Sequence, residues 1–116
     1  MTPPDPFVPD RDDIIWIDMD PRAGHEQAGR RPALVLSPAA YNGKTGLAVL
    51  CPITRQAKGY PFEVTLPPDA PATGVVLADQ VRNLDWRVRN ATPHGRAPSA
   101  LVAEVLAKLA TLIALP

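Results

Sequence analysis

The 116-residue sequence predicts an α+β fold, in which short antiparallel strands form a small barrel or compact sheet and a C-terminal amphipathic helix packs on it. Short apolar runs recur along the chain, separated by turns rich in proline and glycine. The 15 prolines disfavour long helices before the C-terminal end. We assign residues 1–116 to a single domain, with residues 1–12 as an irregular lead-in.

Five apolar runs predict the strands of this sheet. The first two flank a polar connection over residues 21–31, and the third is apolar at almost every position, which indicates burial on both faces. The fourth alternates apolar and polar residues, as half-buried antiparallel strands do. A short turn or one-turn helix is expected over residues 37–40, and Asn42-Gly43 is a turn signal. The predicted strands are residues 14–18, 32–36, 47–53, 62–66 and 74–81.

The C-terminal segment has the spacing of an amphipathic helix. Pro98 suits the first turn, and Glu104 and Lys108 form a favourable i, i+4 pair. A helix lying on a membrane surface is an alternative, but the single lysine of the polar face disfavours it. The residues predicted to pack on the sheet are Leu101, Val105, Leu106, Leu109, Leu112 and Ile113.

The charges are unevenly distributed although the formal net charge is zero. Residues 1–20 carry six acids and one base, whereas residues 21–60 carry six bases and one acid. A basic central segment favours a phosphate-bearing partner. The alternative is that the acidic and basic blocks face each other in the folded protein.

Several classes of protein are disfavoured by composition. A single cysteine allows no internal disulfide, and two distant histidines without an HExxH pattern make a zinc site improbable, so we expect no metal and no cofactor. No run reaches the ~18 apolar residues of a membrane span. The acidic, proline-rich N-terminus lacks the order of a secretion signal, so we expect a cytoplasmic protein without membrane association.

Four short segments concentrate groups that could act on a phosphate: residues 25–31, 54–58, 79–80 and 86–96. Arg31 and Thr54 each lie at the edge of a predicted strand, where a guanidinium and a hydroxyl can donate hydrogen bonds to phosphoryl oxygens. RNA cleavage by its own 2′-hydroxyl needs no metal and no protein nucleophile, only orientation, proton transfer and charge stabilisation.

Each of these groups also has a purely structural interpretation. Glu26 can form an exposed ion pair with a neighbouring arginine, worth at most ~1 kcal/mol, and His25 can be a solvated loop residue. Thr54 can be a hydroxyl at a sheet edge. The arginines of the last segment, Arg87, Arg89 and Arg96, can form an ordinary charged face.

The chain resembles the MazF/PemK family of toxin–antitoxin endoribonucleases from about Asp12 to the C-terminal helix. The similarity is carried by DIIWIDMDPRAGHEQAGRRPALVLSPAAYNGKTG, CPITRQAKGYPFEV and GVVLADQVRNLDW. It implies an SH3-like antiparallel barrel with a C-terminal helix, assembled as a homodimer. It also implies metal-independent, sequence-specific cleavage of single-stranded RNA, chiefly mRNA, leaving 2′,3′-cyclic phosphate and 5′-hydroxyl ends and inhibiting translation and growth.

The resemblance also assigns roles to residues. Arg31 is expected to stabilise the pentacoordinate phosphorane, Thr54 to hydrogen-bond a non-bridging oxygen, and Glu26 to orient Arg31 or act as base. His25 stands where close relatives have serine and could share the acid–base work. The residues expected to line the RNA groove are Arg22, Gln27, Arg30, Arg55, Gln56, Lys58 and Gln80.

The resemblance implies a regulator as well, a MazE-type antitoxin whose acidic, disordered tail lies along the basic groove. Two other functions remain open at this point. One is a CcdB-like toxin of the same barrel that poisons gyrase, which would not need Arg31 and Thr54. The other is a non-catalytic module that binds RNA or the antitoxin.

Overall fold

The computed structural model describes residues 7–19 and 29–115. They form a seven-stranded antiparallel sheet and two α-helices, α1 (Ala39–Thr45) and α2 (Ser99–Ile113), which confirms the α+β class. Residues 7–12 precede the first strand without regular structure. The strands are β1 (Asp13–Asp18), β2 (Arg30–Val35), β3 (Leu47–Thr54), β4 (Glu63–Thr65), β5 (Val75–Leu77), β6 (Arg82–Asp85) and β7 (Thr92–Arg96).

Strand β3 is the centre of the sheet. The strand order is β4-β5-β3-β2-β1-β7, and β6 also pairs with β3. The N-terminal half of β3 pairs with β6 on one edge, whereas Ile53 and Thr54 at its C-terminal end pair with β5. Its other edge pairs with β2. The C-terminal end of β3, and with it Thr54, is therefore fixed by main-chain hydrogen bonds.

Of the predicted barrel or compact sheet, the structure shows a sheet that is not closed, since no pairing between the end strands β4 and β7 occurs within the described residues. Helix α2 packs on this sheet, as predicted. Leu101, Val105 and Leu109 of α2 are buried in one apolar cluster together with Ile14 of β1 and Val64 of β4. The helix thus packs through side chains against strands from both halves of the sheet.

Two apolar clusters lie on opposite faces of the sheet, as the alternation of neighbouring side chains requires. Ile14 and Leu34 belong to the cluster covered by α2. Ile15 and Ile17 belong to the other cluster, against which Phe7 of the lead-in packs. Because β1 supplies fully buried side chains to both clusters, it is a two-sided strand of the interior.

The turn expected at Asn42-Gly43 is wrong, because α1 continues through both residues to Thr45. The Asn42 side chain is fully buried and donates hydrogen bonds to the Pro9 carbonyl (2.7 Å) and the Ser37 carbonyl (2.9 Å). The Ser37 hydroxyl donates to its amide oxygen (2.6 Å). These tertiary bonds satisfy a residue whose side chain would otherwise favour a turn.

Two further differences concern strands. The run predicted as one strand over residues 74–81 is strand only in β5, and a 3-10 turn, Ala78–Gln80, follows it. Strands β6 and β7 were not predicted, because they contain few apolar residues and form by pairing with β3 and β1.

Helix α2 is confirmed, but part of its predicted packing face is exposed. Leu106 is 41% exposed, Leu112 51% and Ile113 71%, while Val102 is buried in their place. In the part of the chain that the structure describes, no helix has the length and apolar character that a membrane crossing requires.

Cys51 is expected to be chemically inert in the folded protein. Burial, helped by the negative charge of Asp79, raises the pKa of its thiol to about 12, so the reactive thiolate is absent at pH 8. We expect no reaction with a disulfide reagent such as DTNB in native buffer and one equivalent of thiol after unfolding. Rapid labelling of the folded protein would contradict this burial.

Candidate active site

The register of β2 and β3 brings Arg31 and Thr54 together. Ala33 pairs with Pro52 and Leu34 with Cys51, so continuing the register by two residues places Arg31 opposite Thr54. Side chains two residues apart on a strand point to the same face, and opposite residues of antiparallel strands are neighbours. The exposed Arg31 and the half-buried Thr54 therefore stand side by side, at the start of β2 and at the end of β3.

The Thr54 hydroxyl is oriented by its own chain. The Gln56 N–H donates to it (3.1 Å), which occupies one acceptor site and leaves the hydroxyl proton available for an oxygen of a ligand. Gly74 lies directly behind the Thr54 carbonyl: a Cβ at this position would be 2.0 Å from that oxygen. Because glycine has no Cβ, the backbone at Gly74 can lie close to the C-terminal end of β3.

Two cavities open on either side of these two residues. The first, which we call the amide cavity, has a volume of about 390 Å³. Arg31, Ile53, Thr54 and Gln56 form the wall that it shares with the second cavity. Its remaining lining is mostly polar and consists of Met19, Pro52, Lys58, Tyr60, Glu63, Leu77, Gln80 and Arg82.

The second cavity, which we call the aromatic cavity, has a volume of about 600 Å³. Besides the shared wall it contains two aromatic rings, two further arginines and two prolines. Its remaining lining residues are Trp16, Arg30, Pro32, Arg55, Pro71, Ala72, Thr73 and His94. A phosphate held between Arg31 and Thr54 would thus have a different environment on each side.

The structure places seven of the predicted site residues at these cavities. Arg31, Thr54 and Gln56 line both, Lys58 and Gln80 line the amide cavity, and the other two, Arg30 and Arg55, line the aromatic cavity. The other four, Arg22, His25, Glu26 and Gln27, lie outside the described residues. The juxtaposition of the seven is observed, while the roles of all eleven stay predictions.

Arg30 is held in a fixed position by a network between β1, β2 and β7. Its guanidinium donates to the Asp18 carboxylate (3.1 Å), the Asn90 carbonyl (3.0 Å) and the Thr92 hydroxyl (2.9 Å). The pKa of Asp18 lies below its usual range, because Asn90 donates a hydrogen bond to the carboxylate and Arg30 adds a bond and a positive charge. Arg30 therefore has a structural role even where it lines the aromatic cavity.

The arginines that could have formed a charged face are also structural anchors. Arg89 donates to the Asp18 and Met19 carbonyls (3.1 and 3.0 Å), and Arg96 pairs with Asp13 (2.8 Å). Arg87 lies over the Trp86 ring, 4.8 Å from its centroid. These three arginines hold β1 and the β6–β7 connection rather than the walls of the two cavities.

Glu63 organises the segment between β3 and β4. Its carboxylate accepts hydrogen bonds from the N–H groups of Lys58 (2.8 Å) and Gly59 (2.9 Å), two consecutive residues of that segment. The Tyr60 hydroxyl donates to the Asp79 carboxylate (2.8 Å). Because that carboxylate accepts its proton, the pKa of Tyr60 is raised, and the phenol remains a donor at neutral pH. Both contacts fix the rim of the amide cavity.

Replacing Glu63 with alanine is expected to raise KM for RNA by about tenfold, because the loss of two charge-assisted bonds loosens the segment that carries Lys58. The comparison is Glu104→Ala, which changes an exposed glutamate of α2 that lines neither cavity. Steady-state kinetics on one RNA give KM and kcat separately. An unchanged KM in Glu63→Ala would show that this segment does not need its anchor.

Sequence reasoning did not name the lining residues Trp16 and Tyr60, and it included His94 only as part of the segment 86–96. Trp16 reads as part of an apolar strand, and His94 lies far away in the chain, in a segment without an apolar pattern. No sequence signal joins them, since only the pairing of β1 with β7 does so. Within residues 7–19 and 29–115, no three His, Cys, Asp or Glu side chains are arranged to hold a metal.

The chain is similar in sequence to known proteins of one family. A family model described as PemK-like, MazF-like toxin of type II toxin-antitoxin system matches residues 10–113. The chain is 50% identical over 107 residues to the endoribonuclease toxin MazF of Escherichia coli strain K12, covering 92% of this chain and 96% of that protein. It is 39% identical over 108 residues to the endoribonuclease PemK of Escherichia coli, covering 90% of this chain and 81% of that protein.

Solved structures give the same relationship. The crystal structure of MazF from Deinococcus radiodurans matches with a TM-score of 0.87 at 57% identity, covering 95% of this chain and 100% of that one. A MazE–MazF crystal structure from the same organism matches with a TM-score of 0.84 at 51% identity, covering 96% of this chain and 100% of that one.

Proposed function

Since the chain belongs to the PemK-like, MazF-like toxin family of type II toxin–antitoxin systems, we propose that it is an endoribonuclease toxin. Its substrate is single-stranded RNA, chiefly mRNA, whose cleavage inhibits translation and growth. The observation that carries the proposal is that Arg31 and Thr54 both line the wall shared by the two cavities. The gyrase-poisoning alternative explains neither this juxtaposition nor the endoribonucleases among the relatives.

The chemistry that fits this pair is attack of the substrate's own 2′-hydroxyl on the adjacent phosphorus. The P–O bond to the 5′-oxygen breaks, which leaves a 2′,3′-cyclic phosphate and a 5′-hydroxyl. Arg31 stabilises the additional negative charge of the phosphorane, and the Thr54 hydroxyl donates to a non-bridging oxygen. A guanidinium stays charged at neutral pH, which suits an electrostatic role better than that of a base.

Proton transfer is assigned to residues on the connection before Arg31. Glu26 orients Arg31 or takes the proton of the 2′-hydroxyl, and His25 is a second candidate for acid–base work. The exposed cations and amides of the two cavities, Arg55, Gln56, Lys58 and Gln80, bind the flanking nucleotides, with Arg22, Gln27 and Arg30 as further groove residues.

The proposed biological setting follows from the family. The toxin acts in the cytoplasm, where mRNA is available, and works as a homodimer. A MazE-type antitoxin lays an acidic tail along the groove and competes with the phosphates of RNA for the same cations.

The decisive experiment incubates the purified protein with long single-stranded RNA in EDTA and maps both new ends. We expect discrete cuts with cyclic phosphate and 5′-hydroxyl termini, and none where the scissile nucleotide is 2′-deoxy. Cleavage that requires a metal, or binding without any cleavage, would contradict the proposal; the latter result would instead identify a non-catalytic module. Mapping the cuts of His25→Ser in parallel shows whether this residue affects rate or cut position.

A further inference from the structure

We propose that Trp16 and His94 form a stacking subsite for one unpaired nucleobase next to the scissile phosphodiester, and so help to determine which RNA sites are cut. The inference rests on the proposed function and adds to it how the protein binds a base on one side of the scissile phosphodiester. The occupant is a base, held by its face rather than by its edge.

The two rings are brought together by an irregularity in the sheet. Trp16 of β1 pairs with Thr92 of β7 and Ile15 with Pro93, and the register then shifts so that Ile14 pairs with Gly95. His94 is thus the extra residue of a bulge, and bulges redirect a side chain. The imidazole lies 4.8 Å from the Trp16 ring, centroid to centroid, with an interplanar angle of 48°.

Core packing does not account for Trp16. Its neighbours Ile14, Ile15 and Ile17 are fully buried, whereas Trp16 is only partly buried, belongs to neither apolar cluster and lines the aromatic cavity. Trp86 makes the contrast clear, since it is 6% exposed and its indole N–H donates to the Asn42 carbonyl (2.9 Å). Trp16 presents an aromatic surface to a cavity instead of filling the interior.

The surroundings of the ring pair suit a nucleotide. Arg31 and Thr54 stand on the wall of the same cavity, and the exposed Arg55 supplies a further positive charge for an adjoining phosphate. The platform is rigid, because Arg30 is bonded to Thr92, the residue that pairs with Trp16. Proteins that bind single-stranded RNA stack unpaired bases on such rings beside a basic track.

The two cavities therefore read the two flanks of the cut by different means. The amide cavity offers hydrogen-bond donors and acceptors such as Gln56 and Gln80, which can distinguish base edges. The aromatic cavity offers the faces of aromatic rings, on which any of the four bases can stack. Specificity on the stacked side then requires that a base be present and unpaired, with only modest preference among bases.

The test measures affinity for a non-cleavable RNA, 2′-deoxy at the scissile nucleotide, with a single abasic site placed in turn at each neighbouring position. We expect an abasic site at one position to weaken binding by about 5- to 150-fold, the range of base–aromatic stacking. Trp16→Ala is expected to weaken binding of the intact RNA comparably and to lose all further sensitivity to that abasic site.

Conservative and control variants separate stacking from folding. Trp16→Phe and His94→Phe are expected to retain most of the affinity, and His94→Ala to lose part of it. Tyr41→Ala, which removes a 36% exposed ring outside both cavities, is expected to bind like the wild type. If Trp16→Ala unfolds, Trp16→Leu, which keeps apolar volume but removes the aromatic face, supplies the same abasic comparison.

Two results would overturn the subsite: undiminished affinity of the wild type for every abasic RNA, or equal sensitivity to the abasic site in the wild type and in Trp16→Ala. Tryptophan fluorescence gives an independent readout. RNA should quench the emission of Trp16 in the wild type, and this quenching should be absent in Trp16→Phe. Binding is measured without turnover, so failure of the EDTA cleavage assay points to the proposed function and not to this subsite. Weakened binding of an acidic peptide alone, with RNA unaffected, would assign the platform to the antitoxin instead and overturn the inference.

Discussion

Replacing Arg31 with alanine is expected to lower the rate of RNA cleavage by about 10²- to 10³-fold, the usual loss when one group that stabilises transition-state charge is removed. The side chain is exposed and lies at the start of β2, so the fold should not depend on it. Single-turnover cleavage at saturating RNA measures the chemical step without the contribution of binding.

Arg31→Lys distinguishes charge from geometry. Lysine keeps the positive charge but lacks the planar fork of donors, so we expect an intermediate rate between those of wild type and Arg31→Ala. Lys44→Ala removes an exposed cation from the last turn of α1, outside both cavities, and should cleave at the wild-type rate. A normally folded Arg31→Ala that cleaves at more than about a tenth of the wild-type rate would remove Arg31 from the chemistry.

Replacing Gly74 with alanine is expected to have the largest effect on stability, at least about 2 kcal/mol in the free energy of unfolding. The residue has a φ of 115° and its added Cβ would meet the Thr54 carbonyl oxygen at 2.0 Å and the Arg55 Cα at 2.9 Å. Relief of this overlap requires the end of β3 to move, so cleavage should fall as well. Chemical denaturation gives the stability, and the same samples give the rate.

Gly59 provides the matched control. Its φ is also positive, 81°, but a Cβ there would have no heavy atom within 4 Å. Gly59→Ala should therefore cost only the backbone strain, about 1 kcal/mol, and the difference between the two variants isolates the contact with Thr54. Equal destabilisation by the two substitutions would mean that the close approach behind Thr54 is not tight.

The sequence predicted those strands and helices whose pattern of apolar residues reflects their burial in the core. The buried strands β1 and β3 and the helix α2 have apolar patterns that reflect the core they pack in. Strand β7, with the sequence TPHGR, has no such pattern, and β6 contributes only Leu84 to the interior. Their structure depends on pairing with distant strands, which a local pattern does not contain.

The candidate site likewise contains residues that the sequence predicted and residues that it did not. Arg31 and Thr54 follow from strand ends and from the family resemblance, and the register of β2 and β3 explains their proximity. Trp16 and His94 depend on a bulge in the β1–β7 pairing, which no residue type announces. Glu63 was visible only as a polar position of a short strand, although it binds two N–H groups of its neighbouring segment.

The central position of β3 has a consequence for how the protein is made. Arg31 and Thr54 are both present once residue 54 has been synthesised, but the strand that pairs with Thr54 begins only at Val75 and β6 ends at Asp85. Trp16 meets His94 later still, when β7 has been synthesised. Because pairing between distant strands comes late in folding, a partly translated chain contains Arg31 and Thr54 without the arrangement that the proposed chemistry requires. The candidate site therefore forms only after the strands that follow it in the sequence have been made.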